Sequence, residues 1–249
     1  MINVNNVSKS FNKGNANEVK ALTNVDLAIN AGEYVVVVGA NGSGKSTFLN
    51  LIAGSTLPTE GKIILQNNDV TNLKEYERSK WISRVFQNPL IGTAPDLTIL
   101  TNFRLASLRT QSKKLIIGTD KQFAERVKEK ISILKMGLEN KLDQPMGSLS
   151  GGQRQALTLL MSVMDEAKIL LLDEPTAALD PRSANLIMTT ADKLIKEYGL
   201  TALLVTHNLK DAHTYGNRIL QFAEGRIIRD VPTQEKQQLE LNDLFNWFE

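Results

Sequence analysis

Cysteine is absent from this chain of 249 residues, which excludes disulfides and thiolate metal sites and suits a reducing compartment. Histidine is scarce. Only His207 and His213 could offer imidazole, too few for a multi-histidine metal site. No apolar run approaches the roughly 20 residues that cross a bilayer; "YVVVVGA" and "KILLLDE" are strand-sized. Neither sign of charge dominates, with 29 basic and 27 acidic residues and a formal net charge of +2. That balance leaves no electrostatic footprint for nucleic acid or for an acidic partner. The opening "MINVNNVSKS" lacks both the basic start and the apolar stretch of a signal peptide. These absences lead us to expect a soluble, cytoplasmic protein.

What is present is a pattern of short apolar runs separated by helical periodicities, the mark of an α/β fold. The runs Tyr34–Val38, Ile169–Leu172 and Thr201–Val205 are rich in Val, Ile and Leu, as strands covered on both faces require. Half-polar runs at Ile2–Val7, Lys62–Leu65, Arg218–Phe222 and Arg226–Asp230 predict edge or antiparallel strands. Between Pro89 and Met146 no strong strand is visible, and "KQFAERVKEKISILKMGL" predicts an amphipathic helix, so a helical subdomain is inserted in the core. The last stretch is apolar on one helical face through Leu241, Leu244, Phe245 and Phe248, which predicts docking on its own domain.

Two segments are built to hold anions. "GANGSGKS", Gly39 to Ser46, follows a predicted strand and precedes a predicted helix, the context in which G-x-x-x-x-G-K-[ST] cradles a triphosphate. Gly39, Gly42 and Gly44 let backbone amides turn inward, Lys45 reaches the outer phosphates, and the Ser46 hydroxyl is placed for Mg²⁺. Ala40, Asn41, Ser43 and Thr47 complete the phosphate-binding stretch. The second segment, "SLSGGQRQALTLLMSV", sets Ser150, Gly151 and Gly152 at the start of a helix, where amides again favour an anion, but it has no lysine.

A carboxylate pair ends the strand in "KILLLDEPTAALD". Asp173, at the carboxyl end of a parallel strand, is placed to hold Mg²⁺ through water, and Glu174 can act as base for an attacking water. Pro175 restricts Glu174 to an extended backbone.

Among phosphate-loop classes, a GTPase is disfavoured. "NKLD" at Asn140–Asp143 follows no buried strand, and no D-x-x-G is present. A small-molecule kinase would need an arginine-rich lid, and the insert offers only the scattered Arg104, Arg109 and Arg126.

Together "LSGGQ" (Leu149–Gln153), the phosphate loop, "LLLDEPTAALD", Gln87 after "SRVF" and His207 after "LLVT" resemble the ABC ATPase family, in that family's order. The resemblance implies an α/β P-loop NTPase (RecA-like) core with an antiparallel β-subdomain and an inserted helical subdomain. It implies one ABC ATPase domain over 1–249: core at 1–88 and 160–235, helical subdomain with the signature at 89–159, and C-terminal helix at 236–249. ATP and Mg²⁺ are the implied cofactors, and a head-to-tail dimer the implied active form.

In that dimer Ser150, Gly151, Gly152 and Gln153 of one copy complete the ATP site of the other, so the lysine missing from the second cradle is supplied by Lys45 opposite. The resemblance further implies that Phe11 stacks on adenine in place of the more usual Tyr, and that Gln87 meets Mg²⁺ and the attacking water. It places Asp180 at the dimer interface and His207 on the γ-phosphate. Phe11 could equally be a packing aromatic, Gln87 a surface amide, and Asp180 a helix cap before Pro181. Asn208 departs from the acidic residue common after the histidine, and His213 matches no motif.

The resemblance implies an ATP-hydrolysing subunit on the cytoplasmic face of the membrane, coupled to a separate permease. "VFQNPLIGTAPDLTI" and "THNLKDAHTYGNRIL" look like uptake systems paired with lipoprotein-type solute-binding proteins and proposed to carry aromatic amino acids. An exporter or lipoprotein-release ATPase, suggested by "NKGNANEVKAL", and a soluble non-transport ABC ATPase are the alternatives.

Overall fold

A computed structural model describes residues 1–109 and 118–248; residues 110–117 of the expected helical insert and Glu249 lie outside the described residues. The chain begins with β1 (Ile2–Phe11), β2 (Val19–Ile29), β3 (Tyr34–Gly39), α1 (Lys45–Ala53), β4 (Glu60–Leu65) and β5 (Asn68–Asp69). It continues with α2 (Glu75–Arg78), β6 (Ile82–Val85), α3 (Ile99–Ser107), α4 (Lys121–Ser132) and α5 (Gly151–Met161). The remainder is β7 (Ile169–Asp173), α6 (Pro181–Tyr198), β8 (Thr201–Val205), α7 (Leu209–Thr214), β9 (Arg218–Ala223), β10 (Arg226–Val231), α8 (Thr233–Lys236) and α9 (Leu241–Asn246).

Two sheets result. Strands β2-β1-β4-β5 form an antiparallel sheet, and β10-β9-β3-β8-β7-β6 form a mixed one in which only β10 runs antiparallel to its neighbour. Alternation along the central strands divides the core in two. Val36, Val38, Leu172 and Leu204 face α5 and α6, together with Phe103 of α3 and Val127 of α4. Val35, Val37, Leu171 and Leu203 face the other way, onto α1 and the antiparallel sheet. Each strand is therefore apolar on both faces, which is why these runs show no polar alternation.

Sequence patterning missed β2, β6 and the two-residue β5. The short "ISRV" of β6 holds Ser83 and Arg84, and its strand state rests on pairing with β7, from Ile82–Ile169 to Val85–Leu172. The expected helix from Lys121 stops at Ser132, because Lys135 (φ 54°) and Gly137 (φ 70°) turn left-handed. Within 236–249 the helical residues are Lys236 and α9; of the expected apolar face Leu244 is buried, Leu241 half-buried, and Phe245 and Phe248 are exposed, while Trp247 packs on the core. His213 Nε2 lies 2.9 Å from the Leu239 carbonyl and helps seat this segment. Among the described residues no helix is long and apolar enough to cross a membrane.

One buried cation ties α1 to the segment that follows it. The Arg78 guanidinium, fully buried, donates to the carbonyls of Leu51 (2.6 Å) and Ile52 (2.9 Å) in the last turn of α1, and to Leu73 (2.8 Å) and Thr71 (3.2 Å). It satisfies carbonyls that a helix end leaves free, and burial lowers its pKa to about 10. Arg78→Met should therefore cost about 2–4 kcal/mol by stranding these acceptors, read as a lower urea midpoint at unchanged slope.

Candidate functional site

The strands β3, β8, β7 and β6 are parallel and nearly level: Val37 pairs Val205, Asp173 pairs Val205, and Val85 pairs Leu172. Their carboxyl ends therefore open on one edge of the sheet, the usual ligand edge of an α/β fold. The loop after β3 is the phosphate-loop pattern, and the residues after β7, β8 and β6 are Glu174, Thr206–His207 and Phe86–Gln87.

Close packing shapes the loop. Gly39 (φ 155°) admits no side chain, since a Cβ there would lie 2.4 Å from the Phe222 carbonyl of β9 and 2.6 Å from Ser43 Oγ. Gly44 (φ 106°) caps α1, and a Cβ would lie 2.8 Å from the Ala21 carbonyl of β2. Gly225, in the β9–β10 turn, donates to the Ser43 carbonyl at 3.0 Å. Held from three sides, the loop leaves Ala40, Asn41, Gly42 and Ser46 exposed, with Thr47 half-buried. The Ser43 hydroxyl is buried with no hydrogen-bond partner among the described residues.

Lys45 is buried and donates to the carbonyls of Gly39 (2.8 Å) and Ala40 (2.9 Å). Burial holds its ammonium below the ordinary lysine value, and the Glu174 carboxylate offsets part of that shift. A cation folded back on two carbonyls at the mouth of an amide-lined loop is poised to exchange them for phosphate oxygens.

Asp173 and Glu174 diverge. The Asp173 carboxylate points toward β6, where Arg84 Nη2 donates to Oδ2 at 2.6 Å. Glu174 faces β8, its Oε2 lying 3.2 Å from His207 Nδ1. The extended backbone expected from Pro175 is not what Glu174 adopts; its φ is 44°. Two bonds impose this. Its N–H donates to the Val205 carbonyl at 2.9 Å, and its carbonyl accepts from Ala177 N–H at 3.2 Å in a turn. A non-glycine residue in this region, ahead of a proline, is strained, and here the strain turns the carboxylate toward His207.

The other expected residues lie around this edge. Phe11 ends β1, paired with Val19, and is 39% exposed beneath the Lys9 ammonium, 5.0 Å from its ring centroid, so it is not a core aromatic. Gln87 is exposed just beyond β6. Asp180 caps α6, accepting from the N–H groups of Arg182 and Ser183 (3.1 Å each); those bonds, the Ser183 bonds foremost, hold its pKa below the usual carboxylate value. Asn208 likewise caps α7, accepting from Lys210 N–H at 3.0 Å.

The signature segment stands apart from this cluster. Ser150 caps α5 in a capping box with Gln153: Gln153 N–H donates to Ser150 Oγ (3.3 Å) and Ser150 N–H to Gln153 Oε1 (3.1 Å). Gly152 abuts α6, a Cβ there lying 2.7 Å from Ser183 Oγ, and Gly151 is exposed. Gln153 and Asp180 line a cleft of about 700 Å³. A separate cavity of about 210 Å³ lies against Gly39, Ala40, Asn41 and His207. The first cradle, the carboxylates and the histidine are thus brought together within the chain, and the second cradle is not.

Three supporting residues escaped sequence reasoning. Gln155 of α5 donates from Nε2 to the carbonyls of Phe86 and Pro175, both at 2.9 Å, bridging the residues before Gln87 and after Glu174. Arg154 donates to the carbonyls of Met146 (3.2 Å), Gly147 (2.9 Å) and Leu149 (2.9 Å), which fixes the approach to the signature. Arg84 holds Asp173. Each is a long polar side chain whose carbonyl or carboxylate partners lie outside its own helix or strand, so no local spacing marks it.

A family model described as "ABC transporter" matches residues 22–177. A tyrosine transport ATP-binding protein of Clostridioides difficile (strain R20291) is 39% identical over 251 residues, covering 100% of this chain and 99% of the relative. The phosphonates import ATP-binding protein PhnC of Lactococcus lactis subsp. lactis (strain IL1403) is 33% identical over 98% of both chains. The dimeric, post-hydrolysis structure of the ATP-binding cassette MJ0796 bound to ADP and Pi superposes with a TM-score of 0.80 at 32% identity, over 94% of this chain and 99% of that one.

The bridge made by Gln155 can be tested directly. Gln155→Leu keeps the volume but leaves two buried carbonyls unpaired, and should lower stability by about 2–4 kcal/mol, measured by urea unfolding monitored through tryptophan fluorescence.

Proposed function

The chain belongs to the ABC transporter family of ATP-binding ATPases, and we propose that it powers solute uptake through a separate membrane permease. One observation carries this reading. The phosphate loop, Asp173, Glu174 and His207 share one strand edge, while Ser150–Gln153 point a second, lysine-free cradle elsewhere. A site divided in this way works when two copies pair head to tail, and the dimeric cassette with ADP and Pi supports that pairing.

In this reading the triphosphate lies along the amides of Gly39 to Thr47, and Lys45 leaves the Gly39 and Ala40 carbonyls to meet its outer oxygens. Phe11 stacks on the adenine. Glu174 takes the proton of the attacking water, and His207 holds the Glu174 carboxylate and meets the γ-phosphate. The Ser150–Gly152 amides of the second copy close over that phosphate at the positive end of α5.

Ser46, Gln87 and Asp173 would hold Mg²⁺: all three offer oxygen donors, the ligand chemistry that this hard cation takes, and only one is a carboxylate, leaving the rest of its charge to be met by phosphate. When bound there, Mg²⁺ would neutralise phosphate charge.

We assign motion to the α/β core (1–88 and 160–235) and the helical insert (89–159), with Gln87 at their joint and 236–249 as a C-terminal docking segment. The cleft of about 350 Å³ beside that joint, which includes the exposed Ile91 and Leu105, is where a permease segment would seat. The tyrosine and phosphonate relatives match this chain over nearly their whole length and bear names of ATP-binding proteins, which supports a permease on another polypeptide and a place at the cytoplasmic face of the membrane. The tyrosine relative supports an aromatic amino acid as cargo; a lipoprotein-type solute-binding protein as its supplier is our proposal from the sequence resemblance alone.

Two variants test the mechanism. Glu174→Gln should bind ATP, fail to hydrolyse it and accumulate as a dimer; a strictly monomeric variant by light scattering at saturating ATP and Mg²⁺ would reject the divided site. Lys45→Ala should lose ATP binding and turnover together, measured with a fluorescent ATP analogue and by phosphate release.

A further inference from the structure

Resting on the ATP- and Mg²⁺-binding reading above, the surroundings of Asp173 point to a residue that no sequence motif marks. Arg84 sits on β6 opposite Leu171 of β7, one pair before the strand end. Its side chain is only 9% exposed, and that of Asp173 15%. Nη2 donates to Asp173 Oδ2 at 2.6 Å, Nη1 to Ser55 Oγ at 3.2 Å, and the guanidinium lies 4.6 Å from the centroid of the Phe86 ring. Ser55 in turn donates to Glu75 at 2.7 Å. The Arg84 contact is the only hydrogen bond or ion pair of the Asp173 carboxylate among the described residues. Arg84 Nε is buried without a partner there, so this cation is held incompletely.

A largely buried carboxylate without a counter-charge is strongly unfavourable. An arginine that neutralises the carboxylate is also a positive charge facing any divalent cation that approaches it. We propose that Arg84 is the resting counter-cation of Asp173. It keeps the carboxylate aimed and neutralised until nucleotide brings a divalent cation, and the two cations then compete for one carboxylate. Arg84 therefore weakens metal binding, and it does so from the strand that leads through Phe86 into Gln87. It is a positioning residue and touches no substrate.

The test uses the full chain carrying stoichiometric AMP-PNP, titrated with Mn²⁺ while free Mn²⁺ is read by electron paramagnetic resonance. Arg84→Met should bind Mn²⁺ about tenfold more tightly than the wild type, since one repulsive charge and one competitor are gone. Arg84→Lys, which keeps the charge, should stay within about twofold. Unchanged or weaker Mn²⁺ binding in Arg84→Met, or an equal gain in Arg84→Lys, overturns the proposal. Arg84→Gln, which keeps a donor for Asp173 but drops the charge, carries the expectation of Arg84→Met where that variant does not fold. Wild-type protein that binds no AMP-PNP would instead defeat the ATP-binding reading itself, so the two failures are distinct.

Discussion

Level termination of four parallel strands is the constraint on which the rest of this molecule depends. The register of β3, β8, β7 and β6 brings residues from four distant parts of the chain to one sheet edge, with no contact between them in sequence. A slip of one residue in any pair would invert every side chain of that strand. It would also exchange the two apolar cores, because Val36 and Val38 face α5 and α6 while Val35 and Val37 face α1. The packing that stabilises the sheet is thus the same packing that aligns the site.

Buried cations finish what the strands begin. Lys45, Arg78, Arg154 and Lys236 are each satisfied by backbone carbonyls at loop or helix ends. Carbonyl oxygens at such ends carry partial negative charge and compensate the desolvation that burial imposes. Lys45 differs in being placed at an open mouth, where phosphate can replace its two acceptors. Arg84 differs in another way, because its partner is the carboxylate of Asp173. The interior therefore uses its cations both as staples and as parts that a ligand can displace.

Several features were legible in the residues. The phosphate loop, the carboxylate pair at the end of β7 and the histidine after β8 follow apolar runs bounded by turn residues, and short runs of Val, Ile and Leu announce buried parallel strands by composition alone. The second cradle was legible as well, since Ser-Gly-Gly before an apolar helix marks an amide-rich start. Strands β2 and β6 were not, because their polar residues hide a strand state that only pairing enforces. The backbone of Glu174 departs from the local expectation for a related reason. Proline acts locally through steric clash, whereas the bonds to Val205 and Ala177 act across the fold and override it.

The sequence by itself determined the fold class, the phosphate-loop pattern and the glycine-rich start of α5, because these depend on residue type and short-range spacing. Only the tertiary structure decided which groups face one another. It paired Glu174 with His207 and Asp173 with Arg84, set Gln155 between two loops, and turned Ser150–Gln153 away toward α6. The physical reason is that side-chain direction depends on register and packing between segments far apart in the chain, and neither is written in any short stretch of residues.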